Sequence, residues 1–121
     1  MKQTVAILGA SSNPERYAYK AFQSLVNHGH LPLLVNPKLM ELEGARIYSS
    51  LKDIDIHVHT VTVYVSANIS NEIKNELIQM RPDRVIFNPG SENPSLQAEL
   101  AKAGIPVMEA CTLVLLSTEQ F

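Results

Sequence analysis

The stretch TVAILGASSNPERY, residues 4–17, decides how the rest of the chain is read. Thr4 to Leu8 is an almost unbroken apolar run with β-branched side chains at Thr4, Val5 and Ile7, the pattern of a strand buried on both faces. It stops at Gly9. The next apolar positions, Ala18, Ala21, Phe22, Leu25 and Val26, fall on one stripe of an amphipathic helix. Asn13 is expected to cap that helix and Pro14 to open it, which puts Arg16 in the first turn. A strand turning through glycine into a helix is the usual start of a dinucleotide site, whose fingerprint needs three glycines spaced G-x-G-x-x-G. Only Gly9 is present here, with serines and an Asn-Pro pair in the remaining places.

Further along, LPLLV (31–35) reads as a second strand and Arg46 to Tyr48 as a short edge strand. Gly29 should end the first helix, with His28 in its last turn. HVHTVTVYV (57–65) reads as a longer strand, followed by a helix from Ala67 to Met80 with Ile69, Ile73, Leu77 and Met80 on one side. RVIF (84–87) and IPVM (105–108) are further strands, separated by a helix that Asn93-Pro94 opens and Gly104 closes. The tail CTLVLLSTEQF is too short for another domain. Strands alternating with helices predict an α/β fold, a Rossmann-like doubly wound parallel sheet of about five main strands in three αβα layers. The expectation is a single domain over residues 1–121.

The chain has 121 residues, 45% hydrophobic and 18% charged, with a formal net charge of −2. That balance provides no basic face for nucleic acid or an anionic membrane surface. No apolar run approaches the ~18 residues of a membrane span, and MKQTVAIL lacks the pattern of a signal peptide. One cysteine, Cys111, allows no internal disulfide and suits a reducing compartment. A cytoplasmic protein is expected.

In a doubly wound sheet the ligand lies beyond the carboxyl ends of the strands. Four of the seven prolines follow asparagine, at Asn13-Pro14, Asn36-Pro37, Asn88-Pro89 and Asn93-Pro94, and all four pairs fall at that rim. Turn and cap chemistry accounts for any one of them, but their concentration marks a binding edge. Ser11, Ser12, the first amides of the helix and Arg16 form a local phosphate site. After the second strand, where NAD-binding folds carry an acid for the ribose, stand neutral Asn36 and cationic Lys38. This favours a phosphorylated adenosine, coenzyme A or NADP, over NAD.

Taken together, VAILGASSNPERYAYKAF, LLVNPK, EGARIYSSLKDI, FNPGSEN and AGIPVMEAC resemble the small bacterial and archaeal CoA-binding proteins. Those are relatives of the amino-terminal domain of the succinyl-CoA synthetase alpha subunit. The resemblance covers nearly the whole chain, and its most specific part is G-A-S-x-N-P-x-R-x-x-Y with V-N-P. It implies coenzyme A or acyl-CoA as ligand, its nucleotide over Gly9, Ser11, Asn13 and Arg16. Asn36, Pro37 and Lys38 are then expected at the phosphorylated ribose, Val65 and Ser66 along the groove, and Asn88, Pro89, Gly90 and Glu92 beside the pantetheine arm. Two departures stand out. His57 and His59 replace an acidic-apolar start to their strand, and Glu109-Ala110-Cys111 replaces Asp-Arg-Cys.

The reactive-looking residues mostly have structural readings. Cys111 reads first as a small buried hydrophobe, and second as a thiol facing that of coenzyme A. His57 and His59 do not make a metal site by themselves. Glu92 reads as stabilising the following helix start rather than a ligand. The synthetase relatives keep their phosphate-carrying histidine in another domain, so the chain reads as a non-catalytic CoA-binding module. The alternative is an NADP-binding oxidoreductase or reductase fragment. A partner protein or a second copy of the chain is left open.

Overall fold

The computed structural model describes residues 2–121. Six strands, β1 (Thr4–Leu8), β2 (Leu31–Val35), β3 (Arg46–Tyr48), β4 (Thr60–Val63), β5 (Arg84–Phe87) and β6 (Val107–Glu109), form one parallel sheet. Their order is β3-β2-β1-β4-β5-β6, so the strand order reverses between β1 and β4. The helices are α1 (Tyr17–Asn27), α2 (Ala67–Glu72), α3 (Lys74–Met80), α4 (Pro94–Lys102) and α5 (Thr112–Ser117). The expected fold class is the observed one, the edge strand β3 completing the five main strands.

Alternation along β1 divides the core. Ala6 and Leu8 join Val61, Val63, Val85 and Phe87 on one face, under Leu77 of α3 and Leu96 and Leu100 of α4. Val5 and Ile7 face the other side, against Ala18, Phe22 and Leu25 of α1 and Leu116 of α5. Burying each such large aliphatic or aromatic side chain contributes about 1.5–3 kcal/mol of transfer free energy. Both faces of the sheet are therefore covered at its centre, which is why β1 and β2 are nearly all apolar and why even the threonines of β4, Thr60 and Thr62, are fully buried.

Four elements differ from their sequence expectation. First, α1 starts at Tyr17, not Pro14. Asn13 Oδ1 accepts from the amide of Glu15 (3.0 Å) and the Arg16 amide reaches the Asn13 carbonyl (3.0 Å), so the Asn-Pro pair closes a turn of its own before the helix. Second, β4 covers only Thr60–Val63, the stretch in register with Val5–Leu8 of β1, and beyond it the last β1 carbonyl, Leu8, takes the Tyr64 amide (2.9 Å). Third, the expected helix 67–80 breaks at Ile73 (φ −110°, ψ 12°), and Ile69 is 49% exposed instead of sharing the buried stripe. Fourth, β6 begins at Val107. The Ile105 amide is held by the Leu100 carbonyl of α4 (2.9 Å), and Pro106 has no amide to donate.

Candidate functional site

Gly9 shapes the reversal point. Its φ is +90°, and a Cβ there would come within 2.7 Å of Val65 Cγ1 and 3.2 Å of the Tyr64 carbonyl carbon. Only glycine lets the loop after β1 approach the loop after β4 this closely. Its amide and that of Ala10 share the Val35 carbonyl at the end of β2 (3.1 and 3.2 Å). Three strand ends are thus drawn together.

An open cleft of about 590 Å³ lies over this point. Gly9, Ser11 and Arg16 line it from the first loop, Asn36 from the loop after β2, Val65 and Ser66 from the loop after β4, and Pro89 and Gly90 from the loop after β5. Eight of the residues singled out in the sequence are therefore brought together. Arg16 takes the N-cap position of α1 in extended geometry, and its side chain makes no capping bond. The amides of Tyr17 and Ala18 meet no acceptor among the described residues. A helix end of 11 residues thus opens onto the cleft with unsatisfied donors and a cation beside them.

Other expected residues stand outside the cleft lining. Ser12, Asn13, Pro37 and Lys38 are exposed beside it, and Glu92 accepts from the Gly90 amide (2.9 Å), shaping its own loop rather than α4. The rim asparagines prove to be intramolecular fasteners. Asn36 Nδ2 donates to the Ala10 carbonyl (2.7 Å) while its Oδ1 accepts from the Lys38 amide (2.8 Å). Asn93 Oδ1 caps α4 at the Leu96 amide (3.2 Å), as expected. Asn88, only 2% exposed, donates to Thr62 Oγ1 (2.7 Å) and the Val63 carbonyl (3.0 Å) and accepts from the Thr112 amide (2.8 Å). It holds β4, β5 and the start of α5 in place.

The cleft also contains residues the sequence reading passed over, chiefly Glu15, Tyr17, Tyr64 and Ser91. Tyr64 carries the one buried side-chain polar atom without a hydrogen-bond partner among the described residues, its hydroxyl. Burial pushes its pKa up to about 12. Thr112 and Thr62 oppose that rise, but their hydroxyls are paired with each other (2.8 Å).

The histidines lie away from the rim. His57 meets Asp83 (3.2 Å) and His59 meets Thr60 (2.7 Å), and no group of three His, Cys, Asp or Glu placed to hold a metal occurs among the described residues. No helix among them is long and apolar enough to cross a membrane.

Residues 3–117 match the family described as CoA binding domain. The chain belongs to that family. Among solved structures, this CoA-binding domain superposes on an uncharacterized protein with a TM-score of 0.94 and 37% identity, over 100% of this chain and 99% of that one. It also superposes on cell-free ID.343 from Thermus thermophilus (TM-score 0.89, 31% identity, 98% and 90% of the two chains). A dinucleotide forming acetyl-coenzyme A synthetase 1 from Ca. Korarchaeum cryptofilum shares the fold at 18% identity and TM-score 0.75, over 89% of this chain and 25% of that one. The uncharacterized protein YneT of Bacillus subtilis is 32% identical over 60 residues. That match spans half of this CoA-binding domain and 44% of YneT.

Proposed function

We propose that the cleft holds coenzyme A, its phosphates at the amino end of α1 and its pantetheine arm along Pro89–Ser91. The observation that carries this reading is the uncapped first turn of α1, with Arg16 beside it, opening on the point where the strand order reverses. Free amides and the helix dipole favour an anion there, Ser11 Oγ adds a hydroxyl, and Gly9 keeps the floor open. One lining residue acts in the opposite sense: Glu15 places a carboxylate on the same cleft.

Asn36 sets the geometry of the loop after β2, and Lys38, exposed two residues later, supplies the cation for the extra ribose phosphate. In this reading the chain holds and presents coenzyme A, and no bond is made or broken on it.

Titration calorimetry with coenzyme A, dephospho-CoA, NADP and NAD tests the proposal. Coenzyme A should bind, and loss of the 3′-phosphate should weaken binding on the order of tenfold, as for one charge-assisted contact. No heat with coenzyme A, or tighter binding of NADP, overturns the reading. Equal affinity for dephospho-CoA removes the role given to Lys38.

A further inference from the structure

Next to the nucleotide cleft lies a smaller cavity of about 200 Å³, lined by Tyr17, Tyr64, Asn88, Pro89, Cys111 and Leu113. Tyr17, Tyr64 and Pro89 line both spaces, so the small cavity adjoins the large one. Their chemistry differs. The cleft has Arg16, Glu15, three serines of its loops and uncapped amides, whereas no charged side chain lines the small cavity. The one amide there, Asn88, has its oxygen and nitrogen engaged with Thr112, Thr62 and Val63. What remains is two tyrosines, the Tyr64 hydroxyl among them without a partner, a proline, a leucine and a half-buried thiol. Such a wall rejects phosphate, whose desolvation it cannot compensate, and accepts an uncharged tail.

We propose that this cavity receives the acyl group of a short-chain acyl thioester of coenzyme A. The proposal rests on the coenzyme A reading of the cleft. Size sets the class of acyl group. At the ~30 Å³ that each water occupies in the liquid, the cavity equals about seven such volumes, room for a thioester and a chain of roughly two to four carbons. A free thiol would leave the apolar walls without partners, and a chain of about eight carbons would exceed the space.

The test is titration calorimetry of the full chain with coenzyme A and its acetyl, butyryl and octanoyl thioesters. Each buried methylene is worth about a fourfold gain in affinity, so butyryl-CoA should bind on the order of tenfold more tightly than acetyl-CoA. Octanoyl-CoA should fall back below butyryl-CoA. Leu113→Phe fills the cavity and should bring the butyryl-to-acetyl affinity ratio close to one. A flat series, a rise that continues to octanoyl, or a variant that keeps the butyryl preference overturns the proposal. The wild-type series decides the matter even where the variant fails to fold. Silence from every member, coenzyme A included, instead overturns the reading of the cleft beneath it.

Discussion

The side-chain amide of Asn36 donates to the main-chain carbonyl of Ala10 across 2.7 Å, joining loops that are 26 residues apart in sequence. Its other end accepts from the Lys38 amide, so one side chain sets the spacing between the loop after β1 and the loop after β2. Asn36→Ala removes both bonds and should cost about 1–2 kcal/mol, measured as a lowered urea midpoint with an unchanged m-value. Asn36→Asp should do no better, since a carboxylate would face the Ala10 carbonyl where a donor is needed. Full stability in the aspartate variant would show that the Ala10 contact contributes nothing.

Gly9 gives a sharper expectation. Gly9→Ala combines a φ of +90° with a 2.7 Å approach to Val65 Cγ1, and should destabilise the chain by roughly 2–4 kcal/mol in chemical denaturation. In the double variant Gly9→Ala/Val65→Ala the side-chain clash disappears while the φ strain persists. Partial recovery relative to the single variant is therefore expected, and no recovery at all would place the whole cost in the backbone.

Charge at the mouth of the cleft should act in two opposite directions. Arg16→Ala should weaken coenzyme A binding by about 1–3 kcal/mol, the range of a charge-assisted contact. Glu15→Gln removes a carboxylate from the same lining and should tighten binding by a few fold, less so as salt is raised. Calorimetry at two ionic strengths reads both. Binding that ignores both substitutions would move the phosphates elsewhere.

At the opposite end of the sheet, His30 Nδ1 accepts from the Gln3 amide (3.0 Å), and its ring lies 5.2 Å from that of Phe121. Burial first, and then the nearby His28, Arg84 and His59, hold its pKa below the ordinary 6.5. The folded state thus disfavours the proton that the unfolded chain takes up near pH 6.5. Its contribution to stability is complete above about pH 6.5 and is lost as the pH falls through the lower, folded value. His30→Asn, which can offer an oxygen to the Gln3 amide without titrating, should flatten the fall in melting temperature below pH 6.5. An unchanged slope would assign the acid sensitivity to other groups.

The strands were legible because burial on both faces leaves a signal that needs no partner to be read: LPLLV is apolar from end to end, and TVAIL and RVIF are apolar after their first residue. Ladder lengths were not, since β4 covers only the stretch in register with Val5–Leu8 of β1, a fact held in another segment of the chain. Asn13-Pro14 carries the residues of a helix start but forms a separate turn, because local side-chain bonds satisfied the asparagine first. The glycine, serine and arginine of the first loop could be grouped from their spacing, and they do line one cleft. Tyr64 was not. In HVHTVTVYV it reads as one more strand residue, and only the end of the ladder at Val63 sends it to the rim between two cavities.

The central place of β1 also bears on how the chain emerges from the ribosome. β1 pairs with β2 through residues 31–35, but its second neighbour is not made until residues 60–63 have been synthesised. During that interval one hydrogen-bonding edge of this largely apolar strand stays bare, a template for any other extended segment nearby. Nascent chains stalled before Thr60 should therefore be the species most prone to aggregate and most in need of a chaperone.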